Sequence, residues 1–408
     1  MSSDNIETDS IPHEAYLAAI ASLEHVGPAT FRWLLSHGSP SRVWQRLTSG
    51  RLTTGPGARI TSAQIDRWAA QAASVNPAKI WARCVELGIG VVSIGSAGYP
   101  ESLADDLDPP VVLFQRGDPN RVAKYKVAIV GTRRATGYGR EVAHDLAKDL
   151  TAAGITIVSG LALGIDGACH AGAVNAIEEA GRTGGSARGP LAVVGANLES
   201  PCPQANRHLA SKVAELGIVY SEVPPGTPSA PWRYPVRNRI LAALCDVLVV
   251  VESDADGGSM HTVREALDRD RTVMAVPGPI TGRYSRGTNQ LLRDGAAPCL
   301  GADDVLMELG LTGKEGVTYE QLSTADSVDK SSGSSSVKGS GGGENKPNAY
   351  VPNEAEARLL EHLDWRPTTV EKLGASSGLT PRELATAAMT LESAGLIRRT
   401  GSWIERRV

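Results

Sequence analysis

Val127-Ala-Ile-Val-Gly-Thr-Arg-Arg-Ala-Thr-Gly-Tyr-Gly139 decides the fold. A short unbroken apolar run meets a glycine turn, and a helical pattern follows from Arg140. Such a run marks a strand covered on both faces. The unit recurs downstream in Ile155-Thr-Ile-Val158, Leu191-Ala-Val-Val194, Ile218-Val-Tyr220, Val247-Leu-Val-Val-Val251 and Thr272-Val-Met-Ala-Val276. Helical segments separate most of these runs. That alternation predicts an α/β fold with a mostly parallel, doubly wound sheet. Val91-Val-Ser-Ile94 and Val111-Val-Leu-Phe114 read as extra strands before it.

Outward from this core the pattern changes. Residues 11–78 read as short helices, with breaks at Gly27-Pro28 and Gly55-Pro56-Gly57. A hydrophobic-Gly turn between helices is compatible with a phosphate-binding helix-hairpin-helix or SAM-like module. It is compatible too with a helical bundle that simply packs on the core, residues 79–310, and the weak turn signal favours that bundle. Residues 311–352 contain Ser331-Ser-Gly-Ser-Ser-Ser336 and Gly339-Ser-Gly-Gly-Gly343, a flexible-linker composition. Residues 353–408 read as helix, turn, helix and a small β wing, a winged-helix pattern. Its eight acidic and eight basic residues leave DNA contact and protein contact both open.

The 408 residues predict two or three domains. Aromatic content is 4%, too low for a protein dominated by stacking platforms, and the net charge is −4, so local clusters must carry any phosphate contact. The five cysteines are scattered without a CxxC pair, which gives no support to a metal site and suits reduced thiols in the cytoplasm. The polar start MSSDNIETDS carries no signal-peptide pattern, and no apolar run is long enough to span a membrane.

In a doubly wound sheet, ligands sit beyond the carboxyl ends of the strands. Gly131 to Gly139 offers close backbone approach, a helix start and two cationic forks, Arg133 and Arg134. A turn made only for tight packing is the alternative. The pattern is not GxGxxG and no Walker lysine exists, so no cofactor is expected. Ser159-Gly-Leu-Ala-Leu-Gly-Ile-Asp166 repeats the glycine turn around Gly160, with Asp166 as a helix cap and His170 as an ordinary helix residue. Trp232-Arg-Tyr-Pro-Val-Arg-Asn-Arg239 places Arg237, Asn238 and Arg239 with two aromatics just before a helix, a way to hold an unstacked base and its phosphate. Asp256-Gly-Gly-Ser-Met-His-Thr262 offers Gly258, Ser259 and Thr262 to an anion. No nucleophile elbow, catalytic triad or paired carboxylates occur, so no catalytic residue is assigned.

Together these turns resemble the DprA/Smf family of DNA-processing proteins. Ser221-Glu-Val-Pro-Pro-Gly-Thr-Pro228, and Pro277-Gly278 leading to Ser285, Gly287, Asn289 and Asp294-Gly-Ala296, extend the ordered match over about 230 residues. The resemblance implies an extended Rossmann-like core that forms homodimers. It implies single-stranded DNA in a positive pocket, help in loading RecA, and a place in natural transformation. By similarity Arg133, Arg134, Arg237 and Arg239 contact phosphate, while Gly160, Gly258 and Ser259 shape the pocket floor. The chain departs from the family at Leu163, where an arginine is usual, at Ala205, where a carboxylate is common, and in the long loop Gly181–Pro190 with Arg182 and Arg188. The rival is an N-glycosidase of the phosphoribohydrolase type. Gly257-Gly258, Thr262 and Glu265 echo it, but Asp256 and Met260-His261 break its Pro-Gly-Gly-x-Gly-Thr pattern.

Overall fold

The protein is seen in a computed structural model that describes residues 11–54, 60–183, 187–201, 203–311, 353–363, 368–393, 396–400 and 403–406. These form two compact units, one on each side of residues 312–352. The expected linker, the Gly55-Pro56-Gly57 turn and Gly184-Gly185-Ser186 lie outside the described residues, Leu311 apart.

The first unit opens with α1 (His13–Ala21), α2 (Pro28–Leu35), α3 (Pro40–Thr48), α4 (Ser62–Ser74) and α5 (Pro77–Glu86). Pro28, Pro40 and Pro77 stand in first turns, where a missing N–H costs nothing. Ser39, Thr61 and Asn76 accept bonds from free helix-start N–H groups. The buried faces of these helices share one core with Val91, Val112, Phe114 and Val219 of the sheet. The bundle therefore packs on the sheet, and the boundary expected at 78–79 falls inside α5.

Next come β1 (Gly90–Ser93), α6 (Glu101–Ala104), β2 (Val112–Gly117), β3 (Lys126–Val130), α7 (Gly137–Ala152), β4 (Thr156–Ser159), α8 (Ile165–Thr183), β5 (Leu191–Val194), α9 (Arg207–Leu216) and β6 (Ile218–Ser221). The unit closes with α10 (Arg233–Leu244), β7 (Val247–Val250), α11 (Ser259–Leu267), β8 (Thr272–Ala275), α12 (Arg286–Arg293), β9 (Ala297–Pro298) and α13 (Ala302–Glu308). The sheet order is β1-β2-β6-β5-β4-β3-β7-β8-β9. Pairs from β6 to β9 are parallel, whereas β1 and β2 pair antiparallel at one edge.

Strand β3 shows why its sequence is apolar throughout. Val127 and Ile129 pack on α7, α8 and α13, while Ala128 and Val130 pack on α10 and α11. Two features depart from the sequence reading. β9 was not foreseen, since two residues ending in proline suit only a short edge pairing. And Arg233–Arg239 lies within α10 rather than before it. Pro235 stands in the first turn, where its absent N–H would have had no helical partner.

The second unit contains α14 (Glu354–His362), β10 (Thr368–Thr369), α15 (Val370–Ser377), α16 (Pro381–Ser393), β11 (Ile397–Thr400) and β12 (Trp403–Arg406). Its sheet order is β10-β12-β11. Leu359, Leu373, Leu391 and Ile404 centre a small core, as a winged helix requires.

Candidate nucleic-acid interface

The strand order turns about β3 and β7, the switch point where such sheets commonly hold ligands. Here the crevice holds the chain's own carboxylate. Glu252, just after β7, is buried. Its Oε2 accepts the Thr136 N–H at 2.9 Å and its Oε1 the Thr136 hydroxyl at 2.6 Å. A Cβ on Gly139 would lie 2.2 Å from Oε2. The positive end of α7 is thus neutralised from within. Gly131 serves the same packing: its Cβ would lie 2.5 Å from Ile165 Cγ1 and 2.7 Å from the Glu252 carbonyl. On the side a Cβ would occupy, Gly131 and Gly139 therefore pack against protein, whereas Gly137 faces open space.

The arginines of that turn fare differently. Arg133 and Arg134 are exposed. Gly164, at φ +80°, approaches the Thr132 carbonyl so closely that a Cβ would lie 2.2 Å from it. The turn after β4 is thereby pressed against Arg133. Within that turn Leu161 is fully buried at φ +54°, a costly conformation for a branched side chain. The Asn206 amide holds it, donating to the carbonyls of Leu161 and Ala162 at 3.0 and 2.9 Å.

Gly160 opens this turn. Its Cβ position lies 1.9 Å from Nη1 of Arg237, so the guanidinium occupies the space a side chain would take. Arg237 is 6% exposed, and its Nε and Nη1 are buried without a hydrogen-bond partner. Asp166 faces it from α8. Burial pushes the Asp166 carboxyl above its ordinary range, against the pull of Arg237 and of bonds from the turn. Burial also lowers Arg237. A guanidinium nevertheless keeps its proton inside a protein, so Arg237 remains a buried cation with unmet donors. His170 lies beneath, fully buried, neither ring nitrogen bonded, with burial holding its pKa down to about 4.

An aromatic rim borders these cations. Arg133 Cζ stands 5.2 Å from the centre of the Tyr234 ring, and Arg233 Cζ 5.1 Å from that of Trp232. Gly195 after β5 meets the backbone of Arg233 and Tyr234, each 3.1 Å from its Cβ position, which seats the start of α10 on the sheet end. Leu163, at the tip of the second glycine turn, is 44% exposed.

Four further expected site residues lie elsewhere or are committed. Arg239 is buried, bonded to Glu222 by Nη2 and to the Asp108 carbonyl by Nη1 at 2.7 Å. Helical geometry explains this: residues two apart on α10 point to roughly opposite sides. Arg237 turns toward β4 and Arg239 toward the loops before β2 and after β6. Its assignment as a phosphate contact is corrected to a structural one. Ser259 is buried and bonds Ser253 Oγ at 2.8 Å, so its hydroxyl is committed. Gly258 is exposed after β7, across β3 from Gly160, and Asn238 is half-buried on α10.

Sequence reasoning missed Glu252, Asn206 and the acidic partners of Arg239. A carboxylate ending the apolar run Val247–Val251 was a usable signal for the first. The partners of Arg239 come from distant loops and left none.

The family model described as DNA recombination-mediator protein A matches residues 90–310, and that for the DprA winged helix domain matches residues 344–401. The chain belongs to the DNA recombination-mediator protein A family. It is 39% identical over 225 residues to the DNA processing protein DprA of Bacillus subtilis, spanning 55% of this chain and 72% of that one. It is 34% identical over 300 residues to the putative DNA processing protein DprA of Mycobacterium tuberculosis, spanning 72% and 68%. Among solved structures, DprA of Streptococcus pneumoniae resembles it with a TM-score of 0.59 at 27% identity, covering 73% of this chain and 98% of that chain. The DprA family's turns are thus carried here on a mixed, mostly parallel sheet. Among the described residues no helix is long and apolar enough to cross a membrane.

Proposed function

We propose that this member of the family holds single-stranded DNA in the pocket built from the turns after β3 and β4 and the start of α10. Arg133, Arg134 and Arg237 contact phosphate, Gly160 shapes the floor, and Asn238 and Gly258 lie at the margins. The observation that carries this reading is Arg237, a buried guanidinium with two unbonded nitrogens. Leaving such donors unmet costs stability, and a phosphate oxygen supplies what they lack once the sealed guanidinium swings outward to meet it. Family membership supports the wider role: a homodimeric recombination mediator in the cytoplasm that protects single strands and helps load RecA, without catalysis of its own.

The phosphoribohydrolase alternative needs a nucleotide phosphate at the Gly257-Gly258 turn, beside the crevice that Glu252 fills, and nothing in the site favours it. Buried thiols do not help a catalytic reading either; burial pushes Cys84 to about 11 and Cys245 to about 12. Gel shifts with single- and double-stranded oligonucleotides at two salt concentrations test the proposal. Single strands bind more tightly, and the preference holds at both salts. Equal affinity for duplex, or release of free base from a nucleoside monophosphate, contradicts it. Faster RecA filament formation on coated strands checks the mediator role.

A further inference from the structure

The proposed pocket accounts for Arg133, Arg134 and Arg237 but leaves Trp232 unused. It is 60% exposed, whereas Trp33, Trp44, Trp68 and Trp81 are buried or half-buried. A large apolar ring in water at the mouth of a cationic pocket has no packing role to explain it. Arg233 stands over it at 5.1 Å, and Arg233 is itself tethered, Nη1 donating to the Pro228 carbonyl at 2.8 Å. The neighbouring Tyr234 ring is already covered by Arg133 and tied to Ser229 Oγ at 3.2 Å. The indole thus stands under one tethered arginine, two residues before the ring that Arg133 covers, with most of its surface still open.

We infer that Trp232 is a platform on which one unpaired base stacks while the adjoining phosphate lies on Arg133 and Arg237. This rests on the single-strand reading of the pocket. A cationic track next to an exposed ring is the arrangement that binds single strands without reading sequence, since every base has a π face. In duplex DNA the base faces are already stacked, so Trp232 favours single strands in a way the arginines do not.

Equilibrium binding of the full chain to an oligothymidine and to an abasic strand of equal length tests the inference. Trp232→Ala weakens oligothymidine binding roughly tenfold, the scale of one base stack, and leaves the abasic strand unaffected. Trp232→Phe recovers most of the loss, and neither variant alters the salt slope. Equal weakening on both strands, or none on oligothymidine, overturns the platform. Arg237→Met reports separately on the pocket: loss on both strands supports the phosphate site, and no loss on either removes it whatever Trp232 does.

Discussion

Gly160 and Leu163 sit three residues apart in one turn and bear on the same cations in opposite ways. Gly160→Ala places a methyl where Nη1 of Arg237 now lies. The displaced atoms are the end of a flexible side chain, so the fold persists and the guanidinium swings away. Single-strand affinity then falls roughly tenfold, the worth of one charge-assisted contact, while the melting temperature barely moves. Unchanged affinity in Gly160→Ala, measured by fluorescence anisotropy, would remove Arg237 from the site. Leu163→Arg adds a cation beside Arg133. It tightens binding at low salt and steepens the salt slope by about 0.7. A slope that stays the same places Leu163 away from the strand.

Among the elements, α7 and α8 show how much of the site is protein architecture. Glu252 caps the start of α7 through Thr136. Glu252→Ala loses two bonds and a favourable charge, for about 2 kcal/mol in urea unfolding, with single-strand affinity kept once the protein is folded. On α8, His170 is neutral when folded and titrates near 4, against 6.5 unfolded. The unfolded chain therefore takes up a proton first as pH falls, and stability drops through that window, by ~2 kcal/mol at pH 5. His170→Met flattens the fall in melting temperature between pH 7 and pH 5; an unchanged fall assigns the acid sensitivity elsewhere. The strands were legible from sequence because burial on both faces leaves each one continuously apolar, as at Val127–Val130. The glycines were legible as close approaches, but not what approaches them. Gly139 meets a carboxylate more than a hundred residues away, and no local pattern carries that. The start of α10 was misread because Pro235 signals a turn as readily as a first helical turn. The helix sends Arg237 and Arg239 apart, so the phosphate role that family similarity implies for both fits only the first.

At the scale of the whole molecule, a chain of net charge −4 is read as holding a polyanion through a few local cations. Three phosphate contacts, from Arg133, Arg134 and Arg237, predict a single-strand salt slope of about −2. The central claim is that α10 divides its arginines between function and fold. The most direct test measures melting temperature and single-strand affinity together in Arg237→Met and Arg239→Met. Arg237→Met removes a buried charge with unmet donors but also leaves the Asp166 carboxyl without its facing cation, so the melting temperature shifts less than in Arg239→Met while affinity falls at least tenfold. Arg239→Met strands Glu222, whereas Asp108 keeps Arg32, so stability falls by about 3 kcal/mol while the folded protein binds as before. The opposite pattern, with Arg237→Met destabilised at full affinity and Arg239→Met stable but unable to bind, would contradict the account.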